Sequence, residues 1–232
     1  MIIAIVGGVG SGKSLLATKK VIESPFHSYV NYEVKSKNCT RLKKSHIILD
    51  NIEMVGKNND KEKHNYAVNW PYWNDALVKH KDFNLVIDEV HNLFHSRKSN
   101  STWSVLGTIW ISQIRKILGE SEKTHLYLIT QKVHRMDVAF RDLLNKIIAC
   151  KTFKLPYTIR MIVKDRHGID VLKEVPIVKC VQYHFLGDYA LENYLSWSSQ
   201  NRKTYQYLTH FIGNAYFDKY NTFQFFGESA YL

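Results

Sequence analysis

The chain has 232 residues, a formal net charge of +11, 45% hydrophobic residues and 13% aromatics. This excludes a disordered chain and supplies one well-packed core. The three cysteines, Cys39, Cys150 and Cys180, are far apart and odd in number, which excludes a disulfide framework and a C-x-x-C metal pair and indicates a reducing compartment. No segment approaches about eighteen uninterrupted apolar residues, so a soluble chain is expected, and its positive surface favours phosphate-rich partners through counterion release.

Residues 2–6 (IIAIV) form an apolar, β-prone run that breaks into Gly7, Gly8, Val9, Gly10, Ser11, Gly12, Lys13 and Ser14. A helical pattern follows over 15–23 and stops near Pro25. Strand, glycine-rich turn and helix in this order make a phosphate-binding P-loop. The glycines let consecutive backbone N–H groups close around a phosphate and the helix adds its positive end. Lys13 reaches the β- and γ-phosphates, and the Ser14 hydroxyl can ligate Mg²⁺.

Further strands are expected at 27–34 and 46–49, separated by a basic loop over 35–44, and 51–69, rich in Lys, Asn and Asp, reads as a surface loop. Residues 70–80 read as a short helix with Pro71 in its first turn. Residues 84–89 (NLVIDE) form a buried strand ending in two acids. Ligands of open α/β sheets sit at the carboxyl edge of the strands. There Asp88 can hold the Mg²⁺ shell and Glu89 can polarise a water for attack on the γ-phosphate. His91 and His95 lie four apart after this strand without further metal-ligand spacing, and a solvated loop or helix face accounts for them.

Apolar residues recur at Trp103, Leu106, Ile109, Trp110, Ile114 and Ile117, so a single helix is expected over 103–118 with one face on the sheet. Residues 125–131 (HLYLITQ) form a third apolar strand, closing on an amide. Gln131 can bond the γ-phosphate or the attacking water without adding negative charge. Asp137 is a plausible N-cap for a helix over 138–148, with Leu143, Leu144 and Ile147 inward. Residues 152–185 turn β-branched and aromatic around Asp165-Arg166-His167-Gly168, a hairpin signal. Its Arg160, Lys164, Lys173 and Lys179 suit a solvated strand face better than a DNA face. The last stretch, 189–232, is dense in aromatics without a clean period, and packing over the core or a neighbouring subunit explains it better than base stacking.

The ordered set GGVGSGKS, LVIDEVHNLF and LYLITQ, followed by Val133-His134-Arg135-Met136-Asp137 and Phe140-Arg141, resembles the P-loop ATPases of the FtsK/HerA group. It most resembles the zonula occludens toxin-like proteins of filamentous phages, with viral genome-packaging ATPases as relatives. The resemblance covers about residues 1–150 and continues weakly at Tyr216-Phe217-Asp218-Lys219-Tyr220-Asn221-Thr222. It implies a strand inserted between the two Walker strands, ATP and Mg²⁺ as cofactors, DNA as partner, and a homo-oligomeric ring, with a hexamer as one size. It also implies an arginine reaching the neighbour's nucleotide. The candidates are Arg115, then Arg141, with Arg135 also in range.

The expected architecture is therefore an α/β P-loop core with a mostly parallel sheet flanked by helices over 1–150. A β-hairpin and aromatic-rich extension over 151–232 packs on the same domain. The expected function is an ATP-hydrolysing motor that packages, translocates or extrudes viral or phage DNA during virion assembly. Virion or assembly proteins are further partners, and the location is the host cytoplasm, the virion or the inner face of a membrane. The alternatives are a membrane-tethered filamentous phage assembly ATPase whose anchor lies outside this chain, and a thymidine-kinase-like nucleoside kinase. The absence of a cysteine zinc lobe counts against the kinase.

Overall fold

Three short, mainly apolar runs are buried at every position, as strands covered on both faces must be: β1 (Ile2–Val6), and two that recur later in the chain, Phe83–Ile87 and Leu126–Thr130. The computed structural model describes residues 1–55, 61–93, 102–118, 122–164, 169–200 and 202–221. After β1 come α1 (Lys13–Glu23), β2 (His27–Val30), β3 (Glu33–Val34), β4 (Cys39–Arg41), α2 (Lys44–Ile47), β5 (Ile48–Val55), β6 (Lys61–Val68) and α3 (Trp70–His80). The chain continues with β7 (Phe83–Ile87), α4 (Val90–Leu93), α5 (Thr102–Ser112), α6 (Ile114–Ile117), β8 (Leu126–Thr130) and α7 (Val138–Asp142). It closes with β9 (Lys146–Lys164), β10 (Asp170–Leu186), α8 (Ala190–Gln200), β11 (Tyr207–Ile212), a 3-10 segment (Gly213–Lys219) and β12 (Tyr220–Asn221).

The main sheet has eight strands in the order β11-β10-β9-β1-β8-β7-β2-β4. Pairings from β9 to β4 are parallel and those of β10 with its neighbours are antiparallel. The inserted strand is β8, between β1 and β7. Because side chains alternate across a strand, each strand serves two cores. Ile3 and Ile5 meet Leu16, Ala17 and Val21 of α1 on one face, with Val86, Tyr127 and Ile129. Ile2, Ala4 and Val6 join Leu85, Ile87, Leu126 and Leu128 on the other, against Trp73, Trp110, Phe140 and Ala190 of the helices there.

Six sequence expectations are corrected. The basic loop over 35–44 carries β4, paired in parallel with β2, and the strand expected over 46–49 begins only at Ile48, after α2. The stretch 51–69 contains an antiparallel pair, β5 with β6, in register from Ile48↔Val68 to Val55↔Lys61. Polar composition hid it, but a two-stranded ribbon needs few apolar positions, and Tyr66 of β6 packs near Trp103 of α5 at 6.0 Å between ring centroids. The 103–118 helix breaks at Gln113 into α5 and α6, with the Ser112 hydroxyl bonding back to the Ile109 carbonyl at 2.8 Å. The helix over 138–148 stops at Asp142, because Lys146 to Ala149 are taken by pairing with β1. The strand over 27–34 is two elements, β2 and β3, with Asn31 and Tyr32 between them.

The hairpin is observed and starts earlier than its composition suggested. β9 runs across residue 150, pairing with β1 at its start and with β10 throughout, so the hairpin grows out of the main sheet. Its 165–168 turn, His95 and the aromatics Phe223, Phe225 and Phe226 lie outside the described residues. Arg160 pairs across strands with Glu174 at 3.1 Å. The aromatic stretch contributes α8 and then returns over α1: Tyr216 donates to Glu23 at 2.6 Å, and the Lys19 ammonium sits 5.7 Å from the Phe211 ring centroid. Asn214 accepts from the Val178 N–H at 2.7 Å and donates to the Pro176 carbonyl at 3.1 Å, pinning the irregularity in β10 between these residues.

Phe140, fully buried on the five-residue α7, holds this short helix on the sheet. Truncation of such a side chain costs about 3–5 kcal/mol, so Phe140→Ala should lower the urea midpoint by that equivalent. A loss below about 1 kcal/mol would mean that the site collapses around the missing ring.

Candidate nucleotide site

The P-loop is shaped by backbone geometry that only glycine adopts cheaply. Gly10 and Gly12 have φ of 71° and 86°, and a Cβ on Gly12 would stand 2.9 Å from the Thr152 methyl. At Gly7 a Cβ would lie 2.7 Å from the Cys150 carbonyl oxygen. The loop therefore lies flush against β9, and the Thr152 hydroxyl ties it down by donating to the Gly10 carbonyl at 2.8 Å. Ser11 and Lys13 are buried while Val9 is exposed. Lys13 curls back over the loop and donates to the Gly8 carbonyl at 2.9 Å.

The topology places β1, β7 and β8 side by side with one direction, so their C-terminal ends share one sheet edge. The Ser14 hydroxyl, in the first turn of α1, donates to the Asp88 carboxylate at 2.6 Å. Glu89 follows in a left-handed conformation, φ 50°, which turns the chain sharply. Its N–H donates to Asp88 Oδ1 at 2.8 Å. Gln131 lies just past β8, half-buried, and borders the same cleft of about 680 Å³ as residues Gly7 to Ser11. The structure thus gathers the P-loop, Asp88, Glu89 and Gln131 at one edge. Among the described residues no three His, Cys, Asp or Glu side chains converge as a metal cluster. The oxygen pair of Ser14 and Asp88 at the P-loop is the fit for a hard cation.

Two residues to which sequence reading gave no role at the site complete the carboxylate strand. Asn31, fully buried just past β2, accepts from the Asp88 N–H at 2.7 Å and donates to the Asp88 carbonyl at 2.8 Å. It clamps the backbone that carries the acids. The signal was an amide at the end of the strand that flanks 84–89, legible only once the two are known to be neighbours. His91, buried, has Nδ1 3.3 Å from Glu89 Oε2 and 3.3 Å from the Thr130 hydroxyl. It bridges the end of β7 to the end of β8, one residue before Gln131, and is not a solvated side chain.

The arginines are less gathered. Arg141 lies on α7 and does not line the cleft; it is half-buried, with Nε buried and unpartnered among the described residues. Arg135 is half-buried on a 3-10 turn, Val133–Arg135. Arg115 lies in α6, with its side chain outside the described residues.

The chain thus has an α/β P-loop architecture. No protein-family model matches it, and no curated protein matches it. Its fold is similar to the N-terminal domain of zonular occludens toxin from Neisseria meningitidis, with 14% identity and a TM-score of 0.51 over 95% of this chain and 98% of that one. A looser match is the genome packaging NTPase B204 from Sulfolobus turreted icosahedral virus 2 in complex with ATP-gammaS. It has 14% identity and a TM-score of 0.40, over 64% of this chain and 72% of that one. The toxin domain is of the kind that the motif-based resemblance named; at 14% identity the likeness to it is one of fold alone.

Burial pushes the Asp88 carboxyl above its ordinary range, against the opposing Ser14 hydrogen bond. Ionised Asp88 is therefore less favourable in the folded chain than in the unfolded one. Stability is full below the unfolded value of about pH 4 and falls as pH rises through the folded value. Asp88→Asn removes that fall: without Mg²⁺ or nucleotide, its urea stability at neutral pH should equal or exceed the parent's, with a flatter pH profile. A variant less stable than the parent across this range would show that the ionised carboxylate is held favourably.

Proposed function

We propose that this chain is a Mg²⁺-dependent ATPase, the motor domain of a machine that packages, translocates or extrudes viral or phage DNA during virion assembly. The observation that carries the chemistry is the Ser14–Asp88 contact, which joins the P-loop to the acid-tipped strand at the sheet edge where Gln131 also lies. Bound Mg²⁺ supplies neutralisation of the phosphate charge. Ser14 and Asp88 would hold it, and the loop N–H groups and Lys13 would hold the phosphates. Glu89, oriented by His91, takes the proton side of water attack, and Gln131 aligns the γ-phosphate or the water. An arginine of a neighbouring copy, Arg115 or Arg141, completes charge neutralisation in a homo-oligomeric ring.

The motor reading rests on the ordered motifs, the toxin-domain fold and the net charge of +11, which suits a polyanionic partner. Among the described residues no helix is long and apolar enough to cross a membrane. The proposed place of action is the host cytoplasm or the inner face of a membrane.

Lys13 contacts phosphates in the ground state, whereas Glu89 acts on the attacking water, so their losses separate. Lys13→Ala should abolish ATP binding in equilibrium titration. Glu89→Gln should keep Mg-ATP bound and lower kcat by at least about a hundredfold; parental turnover would remove Glu89 from the base role.

The DNA role is tested by steady-state hydrolysis with and without double-stranded DNA, beside a mass measurement in solution. Stimulation by DNA that fades between low and moderate salt, from an oligomer, is expected. A monomer that ignores DNA and passes phosphate to a nucleoside would replace the motor by a kinase.

A further inference from the structure

The cleft beside the P-loop extends well beyond the phosphate-binding turn. On one side of β1 stand β8 and β7, carrying Gln131, Asp88 and Glu89; on the other stand β9 and β10. The carboxylate side takes the cation and the terminal phosphate, so the rest of a nucleotide must lead the other way, over β9. There the cleft of about 680 Å³ is walled by Lys151 and Phe153 of β9 and by Tyr194, Leu195 and Trp197 of α8. Lys151 and Phe153 are two apart on one strand and therefore share the face that α8 covers.

This wall is apolar and braced from behind. The Trp197 ring is propped by Tyr183 at 4.8 Å and Phe185 at 5.6 Å between centroids, with Tyr194 at 6.2 Å. The Lys151 ammonium stands 4.9 Å from the Trp197 centroid and 5.6 Å from that of Tyr183. Phe153 is 48% exposed, an uncovered aromatic at the mouth of a cleft. None of these residues has a part in phosphate or metal binding.

We propose that this end of the cleft is a nucleobase seat, in which a purine packs against Trp197 and Phe153 beside the Lys151 ammonium. The proposal rests on the reading of the P-loop as a nucleoside triphosphate site. A base held by packing is held through its π-face, which every purine has. Few hydrogen-bonding groups are there to read its edge. The Ser198 hydroxyl proton goes to the Leu195 carbonyl at 3.2 Å, and Lys151 offers donors only, which suit the N7 acceptor common to adenine and guanine. The seat therefore adds affinity without strong discrimination between the two, since a mainly apolar pocket separates near-isosteres by at most about a hundredfold.

The test measures binding of Mg-ATP, Mg-GTP and Mg-tripolyphosphate to the parent, Trp197→Ala and Trp197→Phe by calorimetry. The parent should bind both nucleotides more tightly than tripolyphosphate, and each within about a hundredfold of the other. Trp197→Ala should weaken both nucleotides by about five- to a hundredfold, the loss typical of one base–aromatic contact. Tripolyphosphate binding should be unchanged, and Trp197→Phe should keep most of the nucleotide affinity. Unchanged nucleotide affinity in Trp197→Ala, or an equal loss for tripolyphosphate, overturns the seat while leaving the P-loop reading intact. A parent that binds tripolyphosphate as tightly as ATP overturns it too. A parent that binds none of the three overturns the nucleotide reading itself, and the seat with it.

Discussion

A carboxylate that is costly to bury organises this molecule. Asp88 sits at the end of β7 with 7% of its surface exposed. Desolvation there favours the protonated form unless hydrogen bonds offset it. Two donors reach the carboxylate, the Ser14 hydroxyl on α1 and the Glu89 N–H on the following turn, while the Asn31 amide past β2 fixes the Asp88 backbone behind it. Each belongs to a different element, so the carboxylate cannot be placed until β1, β2 and β7 are in register. A hard cation would relieve the same desolvation, and for that reason a strained, acid-tipped strand end fits function better than stability.

The parallel order of the central strands converts this local arrangement into a site. With β8 between β1 and β7, the P-loop, the amide of Gln131 and the paired acids emerge at one edge, and His91 ties the two strand ends by contacts of 3.3 Å to Glu89 and Thr130. A change at Gln131 therefore has a short, packed route to the orientation of Glu89. The glycine-rich loop can lie so close to β9 only because no Cβ intervenes at Gly7 and Gly12. The loop is thus positioned by the strand that also walls the far end of the cleft.

The C-terminal third is integral to this edge and does not merely decorate it. β9 and β10 extend the sheet, α8 lays aromatics over the cleft, and the 3-10 segment braces α1 through Tyr216 and Glu23. Gly213 allows that brace, since a Cβ there would stand 2.5 Å from a Leu15 methyl. Helix α1, which carries Lys13 and Ser14, is thereby held between the sheet and the chain's own return.

Local pattern alone determined the P-loop, the acid-tipped and amide-tipped strands, the helix over 70–80 and the hairpin, because glycine conformations, apolar runs and helical periodicity are written within a few residues of one another. The ribbon of β5 and β6 escaped notice because a strand pair sheltered on one side needs few apolar residues. The expected helix over 138–148 yielded to the free edge of β1, a competitor that no local window contains. Asn31, His91 and Trp197 read as ordinary strand, loop and aromatic residues in sequence. They acquired a place at the site only when the parallel crossings brought residues 31, 88 and 130 together and folded α8 back over β9. Contacts between residues so far apart in the chain are decided by sheet order, and sheet order follows from which faces must be buried in the whole molecule.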